Sequence, residues 1–184
     1  MVTRRTMLLG GAGVVSGLGA PVVGWTALPP EPRLVTAQPL LVRQDQSALN
    51  GWVKIGTDNT VGIVMCKSER GQSIDTGLAM VPAEELNADW NQVRVERAPI
   101  DKIYQNIAGL VDGLPFQPDD DGMLMAVAER VAGKAMREIG VMFTGASSSI
   151  KDLWLPMRQA GASTCAMLVA AAAGRAGSGL ATFF

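Results

Sequence analysis

The stretch GWVKIGTDNTVGIVM, residues 51–65, decides the fold class of this 184-residue chain. Residues 51–55 and 60–65 are rich in β-branched and aromatic side chains, and the polar sequence Gly-Thr-Asp-Asn separates them at 56–59. Two such runs joined by a short turn of this composition predict a β-hairpin. The hairpin is the best-defined element of the sequence, and the other elements are placed after it.

Helices and further strands alternate beyond the hairpin. The predicted helices are residues 75–86, 123–139 and 151–173, and the predicted strands are 92–97 and the short 141–143. Pro82 falls inside the first helix and is expected to kink it or to move its start. The inward face of the last helix is assigned to Leu155, Ala162, Cys165, Ala166 and Val169. This order predicts an α+β fold, with a hairpin, short strands and packed helices.

The N-terminus has the composition of an export signal. Arg4 and Arg5 precede a mildly apolar run that continues to about Trp25, as in a basic region followed by a hydrophobic region. Adjacent arginines are typical of the twin-arginine route, which transports folded proteins. Residues 1–27 are therefore expected to be a signal or an anchor, because the run is about long enough to span a bilayer. We expect a periplasmic protein; cleavage, or attachment to the periplasmic face of the cytoplasmic membrane, stays open.

Proline marks the boundary between this leader and the domain. Residues 28–50 contain Pro29, Pro30 and Pro32 and are expected to be an irregular linker. The domain is expected to occupy residues 51–174, followed by an irregular tail at 175–184.

Several function classes are excluded by composition. The chain has no histidine, so it contains neither a Ser-His-Asp triad nor a histidine ligand for zinc or haem. A formal net charge of −1 argues against nucleic acid as a partner. Cys66 and Cys165 are expected to be buried structural thiols, and a disulfide between them stays open. The Asp triplet at 119–121 lacks the spaced ligands of a calcium loop.

Two loops of small polar residues precede predicted helices, Glu-Arg-Gly-Gln-Ser at 69–73 and Thr-Gly-Ala-Ser-Ser-Ser at 144–149. Backbone amides and hydroxyls at a helix N-terminus favour an anion, and a glutamine side chain offers a donor and an acceptor to the edge of a heterocycle. The plain alternative is a turn glycine in the first loop and helix-capping serines in the second. The candidate ligand-binding residues are Gly71, Gln72, Ser147, Ser148 and Ser149.

The context of these loops resembles the xanthine oxidase family. More closely, it resembles the large subunits of the bacterial isoquinoline 1-oxidoreductase and membrane-bound aldehyde dehydrogenase type, which carry a G-Q-G loop, an A-E-E-L-D-A-D-W stretch and a T-G-G-S-T-S loop before a long helix. Here the corresponding stretches are ERGQS at 69–73, AEELNADW at 83–90 and TGASSS at 144–149. The resemblance extends from about residue 50 to about 173, with Ser73 in place of the second glycine.

The resemblance implies a partial molybdopterin-binding domain and a molybdopterin cytosine dinucleotide cofactor. Gln72 matches the family's glutamine that contacts the pterin, and Ser147 and Ser149, with Ser148 between them, match residues on the phosphate side of the cofactor. The family oxidises aldehydes or hydroxylates N-heterocycles with water-derived oxygen. Its electrons pass to a 2Fe–2S subunit and often to a cytochrome c subunit, and these partners are implied here.

Family members continue for several hundred residues, which include most of the molybdenum pocket and a catalytic glutamate. We therefore expect an N-terminal segment with no catalytic residue of its own, inactive by itself; Glu84 and Glu85 are assigned to a solvated helix face. A split gene, a frameshift and a fragment remain open as origins of the length. The alternative is a truncated, non-catalytic exported remnant that binds at most a partner subunit.

Overall fold

The computed structural model describes residues 32–115 and 122–176. The expected leader 1–27, the Asp triplet 119–121 and most of the expected tail lie outside these ranges. The strands are β1 (Gln46–Ala48), β2 (Val53–Gly56), β3 (Val61–Met65) and β4 (Val93–Arg97), and the helices are α1 (Ile74–Glu85), α2 (Ala108–Val111), α3 (Met123–Ile139) and α4 (Ser149–Ala176). Short 3-10 turns lie at Trp90–Gln92 and Lys102–Tyr104. The α+β class is confirmed.

The four strands form one mixed sheet in the order β1-β2-β3-β4. The hairpin is confirmed: β2 and β3 are antiparallel, with Ile55 opposite Val61, and Asn59 adopts the positive φ of 65° that the turn requires. β4 runs parallel to β3, and α1 is the crossover between them. The carboxyl ends of β3 and β4 therefore lie at the same edge of the sheet, where the first candidate loop begins.

The core lies between the sheet and helices α1 and α4. All five residues of β3 are buried, which suits the inner strand of a small sheet. Trp52 and Tyr104 are both fully buried, and their rings meet edge to face with centroids 4.9 Å apart. The Trp52 ring nitrogen donates to the Arg33 carbonyl, and the Tyr104 hydroxyl donates to the Gly51 carbonyl, so both aromatic side chains have a polar partner in the core.

Two secondary-structure predictions were wrong. The segment before residue 50 was expected to be irregular, but Gln46–Ala48 pairs with β2 as an edge strand. The predicted strand 141–143 does not form. The Val141 carbonyl accepts one backbone bond, from Asn106, and the Phe143 carbonyl accepts from side chains instead. A β-ladder needs successive backbone partners, and this segment has side-chain donors in their place.

The inward face predicted for the long helix was wrong at three of its five residues, and the other two, Cys165 and Val169, are half-buried. Leu155 is 61% exposed, and Ala162 and Ala166 are exposed as well. The buried residues of α4 in the described structure are Asp152, Leu153, Met157, Ala160, Gly161, Thr164 and Ala173. The reason is a close approach of α1, because a Cβ at Gly161 would lie 2.7 Å from the Pro82 carbonyl oxygen. The close approach of α1 therefore requires a residue without a side chain at Gly161, while the large apolar Leu153 and Met157 are buried nearer the start of the helix.

Helix α1 begins at Ile74, one residue before its predicted start, and continues through Pro82, which is buried. Large apolar side chains remain exposed on the outer surfaces of the two longest helices, α3 and α4: Met123, Leu124, Val127, Ile139, Ile150, Trp154, Leu155, Met167 and Leu168. Within residues 32–115 and 122–176, no helix combines the length and apolar character that crossing a bilayer requires.

Candidate functional site

The two candidate loops lie side by side, although the two residues that join them are 76 positions apart in the sequence. The backbone amide of Ser68 donates to the Thr144 hydroxyl over 2.8 Å. Ser68 lies just beyond the end of β3, and Thr144 opens the loop that leads into α4. The structure thus brings both predicted loops to one edge of the sheet, each at the N-terminus of a helix.

Glu69 organises the first loop. Its carboxylate accepts hydrogen bonds from the backbone amides of Gly71 at 2.7 Å, Ser73 at 3.0 Å and Asp75 at 3.2 Å. The Asp75 amide, followed by the other amides, holds the pKa of this exposed carboxyl below its ordinary value. Ser73 occupies the N-cap position of α1 but makes no side-chain capping bond. A carboxylate of the chain itself therefore satisfies the amides that open α1.

Gly71 and Gln72 are exposed. Gly71 has φ 86° and nothing within 4 Å of the position of a Cβ, so its surface is open. The Gln72 side chain folds back on its own loop: Oε1 accepts from the Arg70 amide at 2.5 Å, and Nε2 donates to the Ser68 carbonyl at 2.9 Å. This amide group shapes the loop in the structure described.

The second loop separates its three serines. Ala146 and Ser147 both have positive φ, 55° and 50°, and this turn leaves Ser147 exposed while it buries Ser148 completely. The Ser148 hydroxyl contacts the Asn106 side chain and donates to the Gly145 carbonyl at 2.8 Å. Ser148 therefore holds the loop from within. Ser149 is the first residue of α4.

A buried ionic cluster lies behind the loops. The Asp152 carboxylate accepts from the Ile107 and Ala108 amides at 2.9 and 3.2 Å. It pairs with Arg33 at 3.3 Å and with Lys67 at 3.5 Å. The three charged side chains are 6% exposed or less. Burial lowers the pKa of Lys67, and Asp152 opposes that effect.

Sequence reasoning missed this cluster. Arg33 lies in the segment interpreted as linker, Lys67 lies two residues after the buried strand β3, and Asp152 was not among the candidate residues. One signal was available, since Asp152 stands in the first turn of a long helix, where acidic residues favour the helix dipole. Nothing in the sequence pattern pairs it with Arg33, which is 119 residues away.

An open cleft of about 360 Å³ borders the first loop at the carboxyl ends of β3 and β4. Arg97 lines it and forms two hydrogen bonds to the Asp75 carboxylate, at 2.9 and 2.5 Å. Cys66 also lines the cleft; burial raises its pKa to about 11, so the thiol stays protonated at neutral pH. Cys66 and Cys165 are both free. Among the described residues, no group of His, Cys, Asp or Glu side chains is arranged to hold a metal ion.

Comparison with known proteins finds two oxidoreductases. The chain is 47% identical over 58 residues to isoquinoline 1-oxidoreductase subunit beta of Brevundimonas diminuta, a match covering 31% of this chain and 7% of the relative. It is 27% identical over 118 residues to membrane-bound aldehyde dehydrogenase [pyrroloquinoline-quinone] of Gluconacetobacter polyoxogenes, covering 64% of this chain and 11% of the relative. No protein-family model matches the chain. Part of this chain is thus similar in sequence to oxidoreductases whose length it spans only in small part.

Proposed function

We propose that this chain is the N-terminal segment of a molybdenum-cofactor oxidoreductase subunit. In this proposal the complete enzyme oxidises aldehydes or hydroxylates N-heterocycles with water-derived oxygen. The observation that carries the proposal is the contact between Ser68 and Thr144. It brings together the two loops that the sequence resemblance assigns to one cofactor, and both relatives are oxidoreductases by name.

The second loop suits the phosphate side of a dinucleotide. In the described part of the chain, the hydroxyls of Ser147 and Ser149 have no hydrogen-bond partner, and Ser149 opens a helix of 28 residues. Free hydroxyls at the start of a long helix favour a phosphate group. We assign these two serines to the phosphate side and give Ser148, which is buried, the role of holding the loop in shape.

The first loop would meet the pterin only after a local change. Gln72 bonds within its own loop, and Glu69 occupies the amides that open α1. A ligand that binds the Gln72 side chain replaces its hydrogen bonds to the Ser68 carbonyl and the Arg70 amide. Gly71 leaves space for such a ligand, because nothing lies within 4 Å of its Cβ position. When bound, the cofactor supplies redox chemistry that amino-acid side chains do not provide; this chain contributes the binding surface.

The cofactor proposed here is molybdopterin cytosine dinucleotide. The name of the second relative includes pyrroloquinoline quinone, so the content of that cofactor is measured as well. We further propose a 2Fe–2S subunit and a cytochrome c subunit as electron-accepting partners. Export by the twin-arginine route, with a periplasmic location at or near the cytoplasmic membrane, completes the proposal.

The test is the cofactor content of the chain, expressed with its leader and neighbouring genes and purified from the periplasmic and membrane fractions. Molybdenum is measured by mass spectrometry, and pterin and pyrroloquinoline quinone by fluorescence and chromatography. We expect near-stoichiometric molybdenum and pterin in the parent and a loss of both in Gln72→Ala, Ser147→Ala and Ser149→Ala. Ser47→Ala and Gln38→Ala change exposed residues outside both loops and serve as controls.

Each other outcome has a definite meaning. Pyrroloquinoline quinone without molybdenum would replace the cofactor assignment. A folded chain that holds neither cofactor would support the alternative, a non-catalytic exported remnant that binds at most a partner subunit. Equal losses in the loop variants and the controls would overturn the assignment of the binding residues.

A further inference from the structure

We propose that Lys67 is a positioning residue of the loop site: its buried ammonium group fixes the two loops against each other and provides unbalanced positive charge that an anionic ligand at Ser147 and Ser149 neutralises. This inference rests on the proposed function and deepens it, because it names the residue on which the affinity of that site for phosphate groups depends. Lys67 itself does not touch the ligand.

Geometry places Lys67 where the two loops meet. It immediately precedes Ser68, whose amide bonds to Thr144. Its Nζ lies 3.4 Å from the carbonyl oxygen of Phe143, the residue before the second loop. The same Nζ lies 3.5 Å from Asp152, in the first turn of α4. One side chain that starts two residues before the first loop therefore contacts the segments on both sides of the second loop.

The charges around Lys67 do not balance. Arg33 and Lys67 are cationic, and Asp152 is the anion that pairs with both of them. The cluster of these three residues thus carries one net positive charge. All three side chains are almost completely buried, so solvent screens this charge much less than a surface charge. Burial of an incompletely paired ammonium is unfavourable, and an anion nearby reduces that cost.

The neighbouring groups do not remove the excess. The titratable groups that interact electrostatically with Lys67 are Asp152, Cys66 and Arg33. The Cys66 thiol is protonated and uncharged at neutral pH, because burial raises its pKa to about 11. Arg97, which donates to the Lys67 carbonyl, is paired with Asp75. The ammonium group lies behind the second loop, because Lys67 Nζ contacts the Phe143 carbonyl just before that loop and the Asp152 carboxylate in the first turn of α4.

The experiment measures the affinity of the full-length chain for inorganic pyrophosphate by calorimetry, together with thermal stability. We expect Lys67→Met to weaken binding about tenfold, whereas Lys67→Arg retains most of the affinity. Asp152→Asn keeps an acceptor for the Ile107 and Ala108 amides but raises the cluster charge. It should lower stability and yet tighten pyrophosphate binding, a combination that a purely structural role does not produce. Lys102→Met, which removes an exposed surface partner of Glu138, is the control.

A second measurement needs no variant. In the parent chain with isotope-labelled lysine, we expect the pKa of Lys67, measured by NMR, to rise on addition of pyrophosphate. The inference is overturned if pyrophosphate binding is lost in Ser147→Ala but unchanged in Lys67→Met, and the pKa of Lys67 does not change on binding. The proposed function would then still stand. Absence of pyrophosphate binding by the parent also overturns it, and the molybdenum and pterin content then decides the proposed function separately.

Discussion

The amide of Ser68 and the hydroxyl of Thr144 form a hydrogen bond of 2.8 Å that joins two loops from distant parts of the chain. The donor is a backbone group, which any residue except proline supplies at position 68. The acceptor is a side chain, so the contact depends on a hydroxyl at position 144. The relative placement of the two loops therefore depends on the residue type at position 144 more than on the residue type at position 68.

Thr144→Val should separate the loops without disturbing the rest of the fold. The substitution keeps the side-chain shape but leaves the Ser68 amide without its partner, at a cost of about 1 kcal/mol in the free energy of unfolding. Hydrogen exchange of the Ser68 amide should accelerate, and urea unfolding should report the loss of stability. Thr144→Ser retains the hydroxyl and is the matched control. Unchanged exchange in Thr144→Val would show that the bond does not hold the loops together.

The hairpin and the helices were predictable because their signals are local. Runs of β-branched and aromatic residues and the turn at 56–59 specify β2 and β3, and α3 has the predicted bounds of Met123–Ile139. The failures depended on distant partners. Strand 141–143 does not form, since Asn106 and Lys67 take the Phe143 carbonyl, and no local pattern contains that information.

The site was predictable only in outline. Small polar residues before helices identified both loops, and the structure brings them together. The sequence could not separate the exposed Ser147 from the buried Ser148, because the difference arises from positive φ at two successive residues and from a partner, Asn106, that is 42 residues away. For the same reason the ionic cluster of Arg33, Lys67 and Asp152 was not predicted.

Gly161→Ala should destabilise the packing of α1 on α4. A Cβ at this position would lie 2.7 Å from both the Glu85 Cβ and the Pro82 carbonyl oxygen, so the helices must move apart. Overpacking of this kind costs roughly 1–3 kcal/mol, measurable by urea unfolding. Gly174→Ala is the matched control in the same helix, because nothing lies within 4 Å of its Cβ position; alanine should stabilise the helix there by roughly 0.5–1 kcal/mol. Equal effects of the two substitutions would contradict the close approach.

Ser73→Gly should stabilise the first loop. Ser73 has φ 58°, a left-handed conformation that costs an L-residue roughly 1–2 kcal/mol. Glycine removes that strain but adds roughly 0.5–1 kcal/mol of unfolded-state entropy, so the expected net gain in the free energy of unfolding is up to about 1.5 kcal/mol. The Ser73 side chain makes no capping bond, so nothing else is lost. Thr76→Gly, inside α1, should destabilise instead, and a loss of stability in Ser73→Gly would contradict the argument.

Glu69 should make the stability of the first loop depend on acid pH. Amide hydrogen bonds, led by that of Asp75, depress its pKa in the folded protein below the ordinary 4.5. A depressed carboxyl pKa adds stability that is present above the unfolded pKa and is lost as pH falls through the folded pKa. Stability should therefore fall below about pH 4.5 more steeply in the parent than in Glu69→Gln, whose neutral side chain does not titrate. Urea midpoints across pH 3–7 measure both slopes.

Glu84→Gln removes an exposed carboxyl of α1 outside the loop and should follow the parent. Parallel curves for the parent and Glu69→Gln would mean that the carboxylate does not secure the amides at the start of α1, and the first loop would then be as open to a ligand anion as the second.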